Sequence, residues 1–365
     1  MGTDISLFNY DLPESFIAQH SVEPRDHSKL MVLDRQTGEL QHKHFFDILD
    51  ELRAGDVLVF NTSKVFKARL VVTRSPSSGG GQRTAPPAGE AAVRGVSAVE
   101  LFVLRVHDGF IDALIKPGKK FPIGSSIEVF GHMFMVEAKT DDGVVRLRTD
   151  LSVATMLEFC DEHGQIPTPP YVNEKLDDTA KYQTVYAKEV GSVAAPTAGF
   201  HFTDELLEKI RSKGVQIEHV ILHVGIGTFR PVLTETIEEH VMHSEWVSLS
   251  QATADNINRA KAEGRRVIAV GTTTTRVLEG IAMRAGADAP VAPLVAYEGE
   301  INIFITPGFV FKVIDGLITN FHLPKSTLLV LISSFAGREN VLHAYEEAKK
   351  NGYRFFSFGD AMFIR

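Results

Sequence analysis

Residues 191–204, with the sequence GSVAAPTAGFHFTD, combine types that suit a ligand-binding loop. The side chains are too small to build a core, and the apolar spacing fits neither a helix nor a strand. Glycine lets the backbone approach a ligand closely, and Pro196 stiffens the turn. Thr197 and His201 add a hydroxyl and an imidazole. We therefore predict a binding or catalytic loop here, followed by a helix that Thr203 caps. The alternative is an ordinary helix entry.

A second stretch, RVIAVGTTTTRVLEG at residues 266–280, reads as an apolar strand that leaves through Gly271 into a helix. Threonines 272–275 and Arg276 lie in the first turns of that helix. The free N–H groups and the dipole of a helix start favour an anion, and hydroxyl and guanidinium groups strengthen such a site. The pattern predicts a carboxylate or phosphate site, with a capped structural helix as the alternative. It lacks the signatures of ATP-binding and NAD-binding loops.

Histidines occur in two further stretches. LHVGIGTFRPV places His223 at a strand end, before glycines that allow close approach to a flat ligand or form a β-bulge. EHVMHSEW places His240, His243 and Glu245 close together, which suggests a metal site. The spacing lacks the HExxH order, so we interpret these three residues as hydrogen-bonding groups of a cleft or core.

Polar residues also follow two strands near the C-terminus. ITNFHLPKSTLL carries Asn320 and His322 in the loop after a strand, and YRFFSFGDAMFI carries Asp360. Ligands of open α/β sheets bind at the carboxyl ends of strands. These strand-exit loops therefore point to one shared pocket. Asp360 either forms a turn or faces that pocket.

The elements that must position these groups fall into two textures. Strand, helix and strand alternate before Arg69 and again after about residue 151, which is typical of an α/β layer. Between them, short alternating runs separated by Gly, Asp and Pro predict a small β-barrel. We expect one α/β domain from residues 1–68 and 151–365, with the barrel inserted at 69–150. Residues 75–98, rich in Gly, Pro and Ser, are expected to form a mobile excursion.

Composition sets limits on the function. A chain of 365 residues with 44% apolar and 23% charged residues has room for two folded domains. The single cysteine, Cys160, excludes an intrachain disulfide and indicates a reducing compartment. No signal peptide or membrane-spanning run is predicted. The net charge of −8 argues against nonspecific adhesion to nucleic acid but allows a local basic groove.

Taken together, the stretches GSVAAPTAGFHFT, LHVGIGTFRPV, MHSEW, GTTTTRVLE, ITNFHLPKSTLL and YRFFSFGDAM closely resemble the S-adenosylmethionine:tRNA ribosyltransferase-isomerase family of queuosine biosynthesis. The N-terminal DLPESFIAQHSVEPRDHSKLMVLDR fits as well. The resemblance spans nearly the whole chain except residues 75–98. One block departs from the family pattern: NTSKVFKARL has Lys67 where the family has proline.

The resemblance implies a three-layer α/β sandwich domain with an inserted small β-barrel domain. It also implies transfer and isomerisation of the ribosyl group of S-adenosylmethionine onto 7-aminomethyl-7-deazaguanine in tRNA. The products are epoxyqueuosine-tRNA, adenine and methionine. We expect no metal, no membrane association, a cytoplasmic monomer, and tRNA as the partner.

Site residues follow from the motifs and the implied reaction. The reaction needs a base beside the sulfonium and a donor for the departing adenine, so the histidines are the candidates, with an acid to orient one of them. The catalytic candidates are His201, His223, His322, Asp360 and Glu245. The expected S-adenosylmethionine contacts are Thr197, Gly225, Gly227, Thr228, Phe229, Thr272, Thr273, Thr274, Arg276 and Asn320. The expected tRNA contacts are Asn61, Lys64, Arg69, Lys116 and Lys119.

Two other classes of function stay open at the level of sequence. A methyltransferase that uses the same substrate would release S-adenosylhomocysteine, whereas ribosyl transfer releases adenine and methionine. A noncatalytic RNA-binding module would bind tRNA without consuming S-adenosylmethionine.

Overall fold

The computed structural model describes residues 2–74, 97–140, 143–169, 171–172, 179–225, 232, 234–284 and 293–365. Its first ten strands are β1 Lys29–Leu33, β2 Leu40–His44, β3 Val57–Asn61, β4 Ser63–Val65, β5 Arg69–Arg74, β6 Ser97–His107, β7 Phe110–Lys116, β8 Ser126–Val129, β9 His132–Lys139 and β10 Val145–Arg148. The others are β11 Glu189–Ser192, β12 Gln216–Leu222, β13 Glu245–Leu249, β14 Val267–Val270, β15 Tyr297–Ile301, β16 Gly316–Asn320 and β17 Ala361–Ile364.

The α-helices are α1 Ile48–Glu51, α2 Val153–His163, α3 Asp204–Ser212, α4 Gln251–Ala262, α5 Thr272–Arg284, α6 Thr327–Ala336 and α7 Arg338–Lys350. Short polar side chains begin several of them. Thr203 caps α3 by accepting a hydrogen bond from the backbone N–H of Leu206, and Ser326 does the same for α6 at Leu329. The N-cap predicted at Thr203 is therefore confirmed.

A nine-stranded sheet forms the larger layer, in the order β15-β13-β12-β3-β14-β16-β17-β1-β2. Its centre, β12-β3-β14-β16, is parallel, so the carboxyl ends of these four strands share one edge. Successive residues of β3 point to opposite faces: Val57 and Val59 pack beneath α4 to α7, whereas Leu58 and Phe60 pack against α1 and α3. Helices thus cover both faces.

A six-stranded antiparallel sheet, β5-β6-β7-β10-β9-β8, curls into a nearly closed barrel-like form. Its apolar residues alternate inward along each strand, and α2 contributes Met156, Phe159 and Cys160 to the same core. The predicted fold class, a three-layer α/β sandwich with a small barrel, is confirmed. Most of the predicted excursion, residues 75–96, lies outside the described part of the chain. In the described residues no helix is long and apolar enough to cross a membrane.

Candidate active site

Two neighbouring cavities lie at the carboxyl edge of the parallel strands. The large cavity, of about 640 Å³, opens between the last two strands on one side of the main sheet, β13 and β15, and strands β6 and β7 of the barrel. The small cavity, of about 80 Å³, lies beside the starts of α5 and α6. Leu328 lines both cavities, and the consecutive residues Val224 and Gly225 line one each. The two cavities are therefore adjacent parts of one cleft.

The cleft collects much of the predicted site from distant parts of the sequence. His223, Gly225, Glu245 and Arg276 line the large cavity. Thr197, Thr272, Thr273, Asn320 and His322 line the small cavity. They converge because the parallel strands β12, β14 and β16 end at the same edge of the sheet. Convergence concerns position only, and the roles of these residues stay predictions.

Arg276 and Glu245 form a buried ion pair in the wall of the large cavity. The Arg276 side chain is 7% exposed and that of Glu245 is 6% exposed. Glu245 also accepts a hydrogen bond from the backbone N–H of Gly225, at 3.2 Å. The Nη2 nitrogen of Arg276 is buried and has no hydrogen-bond partner among the described residues. A buried guanidinium nitrogen without an acceptor is costly unless a ligand supplies one.

His223 follows β12 and faces the large cavity. Its ring stacks on Trp246, with centroids 5.0 Å apart and an interplanar angle of 14°. Nδ1 lies 3.0 Å from the hydroxyl of Ser63. Burial, and then the charge of Arg105, lowers the pKa of His223 to about 4. The imidazole is therefore neutral near pH 7. Gly191 of β11 packs against this ring: a Cβ there would lie 2.6 Å from Nε2 and 2.7 Å from Cε1, so the position requires glycine.

His322 lines the small cavity in a fixed orientation. Its Nε2 lies 2.8 Å from the hydroxyl of Thr319, and its backbone N–H donates to the hydroxyl of Tyr345. Burial lowers the pKa of His322 to about 3, so this imidazole is also neutral. It lies in the cleft as an uncharged hydrogen-bonding group.

His201 lies behind the small cavity and lines neither cavity. Nδ1 is 2.7 Å from the hydroxyl of Ser28, and Nε2 is 3.1 Å from the side-chain nitrogen of Asn320. Burial, followed by the charges of Arg354 and Arg25, lowers the pKa of His201 to about 3. Both ring nitrogens are engaged within the protein. The prediction that His201 is an acid or base does not fit this position, which suits a residue that orients Asn320.

Asp360 and Thr274 also lie apart from the cavities. The carboxylate of Asp360 is buried and accepts the backbone N–H groups of Lys29 and Arg354, at 2.9 and 2.7 Å. These bonds support the turn alternative and not a catalytic carboxylate. The hydroxyl of Thr274 is fully buried and donates to the carbonyl of Val270 at 2.7 Å, so direct contact with S-adenosylmethionine does not fit either.

The predicted tRNA contacts divide by exposure. Asn61 has no exposed surface. Its side chain donates to the carbonyl of Leu222 and accepts hydrogen bonds from the N–H groups of Leu222 and Ser63. Direct contact of Asn61 with tRNA is therefore not possible in this structure. Arg69 pairs with Glu100 at 3.2 Å and remains partly exposed. The remaining predicted contacts, Lys64, Lys116 and Lys119, are exposed, and none of them lines either cavity.

Some predictions fall on residues that are not described, and some site residues were missed. Gly227, Thr228 and Phe229 lie outside the described part of the chain. The large cavity also contains Trp246, Arg105 and Glu300, which the sequence did not single out. Trp246 stands next to Glu245 in the motif EHVMHSEW, whose histidines are its more conspicuous feature. Arg105 and Glu300 are 195 positions apart and carry no local signal.

The three residues whose spacing suggested a metal site, His240, His243 and Glu245, lie beside the large cavity. In the described residues, no group of three or more histidine, cysteine or acidic side chains is arranged to hold a metal ion. Glu245 is engaged instead with Arg276 and Gly225.

Comparisons with known proteins identify relatives of this chain. A family model described as queuosine biosynthesis protein matches residues 5–364. Among solved structures, the crystal structure of the S-adenosylmethionine tRNA ribosyltransferase of Thermotoga maritima is similar, with 34% sequence identity and a TM-score of 0.54. The match covers 98% of this chain and 100% of that one.

Proposed function

The chain belongs to the queuosine biosynthesis protein family, and we propose that its two cavities form the active site of an S-adenosylmethionine:tRNA ribosyltransferase-isomerase. The enzyme transfers the ribosyl group of S-adenosylmethionine to a tRNA base and isomerises it, releasing adenine and methionine. The accepting base is 7-aminomethyl-7-deazaguanine, and the product is epoxyqueuosine-tRNA.

The buried guanidinium of Arg276 is the observation that carries this assignment. Its Nη2 nitrogen lacks a partner among the described residues, although Glu245 already balances part of its charge. A carboxylate offers the charge-assisted acceptor that such a nitrogen requires. The methionine portion of S-adenosylmethionine supplies that carboxylate. The cavity volume of about 640 Å³ is in the range of small-molecule sites.

Helix α5 places its contacts along both cavities. Thr272 and Thr273 line the small cavity, and Arg276 lines the large cavity one turn later. Residues three and four apart share one face of a helix. One extended ligand can therefore contact the first turn of α5 and Arg276 together.

His223 is the base in this proposal. With Nδ1 protonated and donating to the hydroxyl of Ser63, Nε2 carries the lone pair that accepts a proton. The lowered pKa keeps this lone pair free at neutral pH. The proton to be removed is adjacent to the sulfonium, whose positive charge acidifies it. Trp246 stacks on the imidazole and fixes its plane.

Thr197, Asn320 and His322 contact the nucleoside portion from the small cavity. Asn320 is held by His201, by the hydroxyl of Thr197 at 3.3 Å and by the carbonyl of Phe356 at 3.2 Å. His322 is neutral and oriented by Thr319. The N–H groups of Asn320 and the hydroxyl of Thr197 are already donated within the protein, so the hydrogen bond to the departing adenine comes from His322, whose Nδ1 donates when Nε2 accepts from Thr319.

The domain division at residues 68 and 151 is part of the proposal. Arg105 and His107 of the barrel face Trp246 and Glu300 of the main sheet across the large cavity, which supports a site formed between two domains. Because one chain supplies both walls, we expect the monomer to be active. Burial raises the pKa of the only cysteine, Cys160, to about 12, so this thiol is unreactive in a reducing cytoplasm.

The tRNA backbone contacts exposed cations outside the cleft. Lys64 lies next to Ser63, the partner of His223, while Lys116 and Lys119 lie at one end of the barrel. Contacts of this kind release counterions, so tRNA affinity falls as salt rises. Arg69 joins this set through its exposed portion.

The experiment follows the products. Full-length protein is incubated with S-adenosylmethionine and a tRNA that carries 7-aminomethyl-7-deazaguanine, and the small molecules are separated by chromatography. We expect adenine and methionine in equal amounts. The same tRNA with an unmodified guanine lacks the accepting amine and should yield neither. Release of S-adenosylhomocysteine would indicate a methyltransferase, and tRNA binding without loss of S-adenosylmethionine would indicate a binding module.

A further inference from the structure

Three side chains form a row across neighbouring strands at the edge of the main sheet. Trp246 of β13 is the direct sheet partner of Glu300 in β15. On its other side, the backbone N–H of His223 donates to the carbonyl of Trp246 at 3.0 Å. Directly opposed residues of antiparallel strands project from the same face. All three line the large cavity. We call His223, Trp246 and Glu300 the edge row.

The edge row offers a flat apolar surface that ends in a carboxylate. Trp246 is half-buried, and His223 is the only ring stacked on it among the described residues. The indole also lines the large cavity, where a planar ligand can contact its exposed portion. Next to it, Glu300 uses Oε1 to pair with Arg105, and no described residue donates to Oε2. Its side chain is 49% exposed.

The pairing of Glu300 with Arg105 does not prevent ligand binding. The Arg105 side chain is 34% exposed, so this is an ion pair at the surface. Exposed pairs of this kind add little to stability. The carbonyl of Glu300 is also held by the hydroxyl of Tyr297 at 3.0 Å and by Arg284 at 3.4 Å. The backbone is thus fixed while the carboxylate can exchange partners at little cost.

On the basis of the proposed function, we propose that the edge row is the subsite for the tRNA nucleobase, with the base stacked on Trp246 and its N–H edge donating to Glu300. Guanine-type bases, including 7-deazaguanines, present a ring N–H and an exocyclic amine side by side. A carboxylate accepts from both donors. Adenine presents a ring acceptor beside its amine, and a carboxylate repels that acceptor.

Position within the cleft also favours the tRNA base over the adenine of S-adenosylmethionine. Glu300 and Arg105 lie at the exposed rim, where a base extruded from RNA enters. The polar groups of the small cavity, such as Asn320 and His322, are buried away from that rim. Arg105 belongs to the barrel. When Glu300 turns to the base, the guanidinium of Arg105 loses its partner and becomes available to an RNA phosphate.

Trp246 is the only tryptophan of the chain, so its fluorescence reports directly on the edge row. Full-length protein is titrated with guanosine, which has the same donor edge, and separately with adenosine. We expect guanosine to quench the emission at concentrations at least tenfold lower than adenosine. Glu300→Gln should weaken guanosine binding roughly 10- to 100-fold, the discrimination expected of a paired hydrogen-bond contact to a base. It should not weaken adenosine binding, because an amide can pair with both the amine and the ring acceptor of adenine.

Glu298 provides a matched control. It lies two residues before Glu300 on β15 and is exposed, yet it does not line the cavity. Glu298→Gln removes the same charge from the same strand and should leave guanosine binding unchanged. Glu300→Asp keeps the acceptor and should recover part of the affinity. Failure of guanosine to quench, equal quenching by adenosine, or equal effects of the two Gln variants would overturn the proposal.

Steady-state kinetics separate this inference from the proposed function. In Glu300→Gln we expect the KM for modified tRNA to rise about tenfold, with the KM for S-adenosylmethionine and kcat near wild type. If wild type releases adenine and the tRNA KM of the variant is unchanged, only the inference fails. If wild type releases no adenine, the proposed function fails, and the guanosine titration still decides whether the edge row binds a guanine-type base.

Discussion

The small and large cavities differ in how far the protein satisfies its own polar groups. In the small cavity, Asn320 is bonded to His201, Thr197 and the carbonyl of Phe356, and His322 is bonded to Thr319. In the large cavity, Arg276 keeps a buried nitrogen without a partner among the described residues, and the Glu300 carboxylate remains half-exposed.

The two kinds of polar group are suited to different tasks. Groups held by several internal hydrogen bonds keep one orientation and change little when a ligand arrives, which is the requirement for stabilising a leaving group. Groups with unused hydrogen-bonding capacity gain most from a ligand, which is the requirement for binding a charged or polar substrate. We therefore expect substitutions at Arg276 and Glu300 to weaken substrate binding, and substitution of His201, which lies behind the small cavity, to act mainly through stability.

The largest effect is expected for Arg276→Ala. The variant leaves the carboxylate of Glu245 buried without its partner, and removal of one member of a buried pair costs about 3–5 kcal/mol. Urea unfolding measures this loss of stability. The double variant Arg276→Gln with Glu245→Gln removes both charges and should regain most of the stability but not the affinity for S-adenosylmethionine. Wild-type affinity in the double variant would contradict the carboxylate assignment.

An intermediate effect is expected for His223→Gln. Loss of a general base reduces turnover by roughly 10² or more, and single-turnover release of adenine measures it. The matched variant is His201→Gln, in which the changed residue is an equally neutral histidine that lines no cavity. It should lower stability and change the chemical step much less. A larger loss of turnover in His201→Gln than in His223→Gln would reverse the assignment.

The smallest effect is expected on mild acidification, from pH 7 to 6. Burial lowers the pKa of His201 and of His322 in the folded protein to about 3, from an ordinary value of 6.5. For His201 the positive charges of Arg354 and Arg25 add to this effect. Below pH 6.5 these imidazoles are protonated in the unfolded chain but stay neutral in the folded protein. The free energy of unfolding therefore falls as the pH falls toward 3. The slope is at most about 1.4 kcal/mol per pH unit for each histidine.

Urea unfolding at pH 7, 6 and 5 tests this dependence. The half-buried His223, with a pKa lowered to about 4, contributes in the same direction. In the variant His322→Gln the free energy of unfolding should fall less steeply with pH than in wild type, because one histidine that protonates only in the unfolded chain is absent. A wild-type stability that is constant or rises between pH 7 and 5 would contradict the neutral state of these imidazoles.

Local patterns accounted for the class of fold. The apolar run of β3 alternates between two cores, and Thr203 caps α3 through its own side chain, so both features depend on residues close in sequence. The convergence of Thr197, His223, Arg276 and His322 also followed from the sequence, because parallel strands bring their carboxyl ends to one edge.

What the sequence alone determined was therefore which elements form and which edge of the sheet carries polar groups. Which of those groups face a cavity depends on the tertiary structure. His201 and Asn61 form internal hydrogen bonds, and Arg105 pairs with Glu300, which lies 195 positions away in the sequence. The physical reason is that residue type and periodicity report local burial, whereas the partners of a polar side chain depend on how distant strands and the barrel pack together.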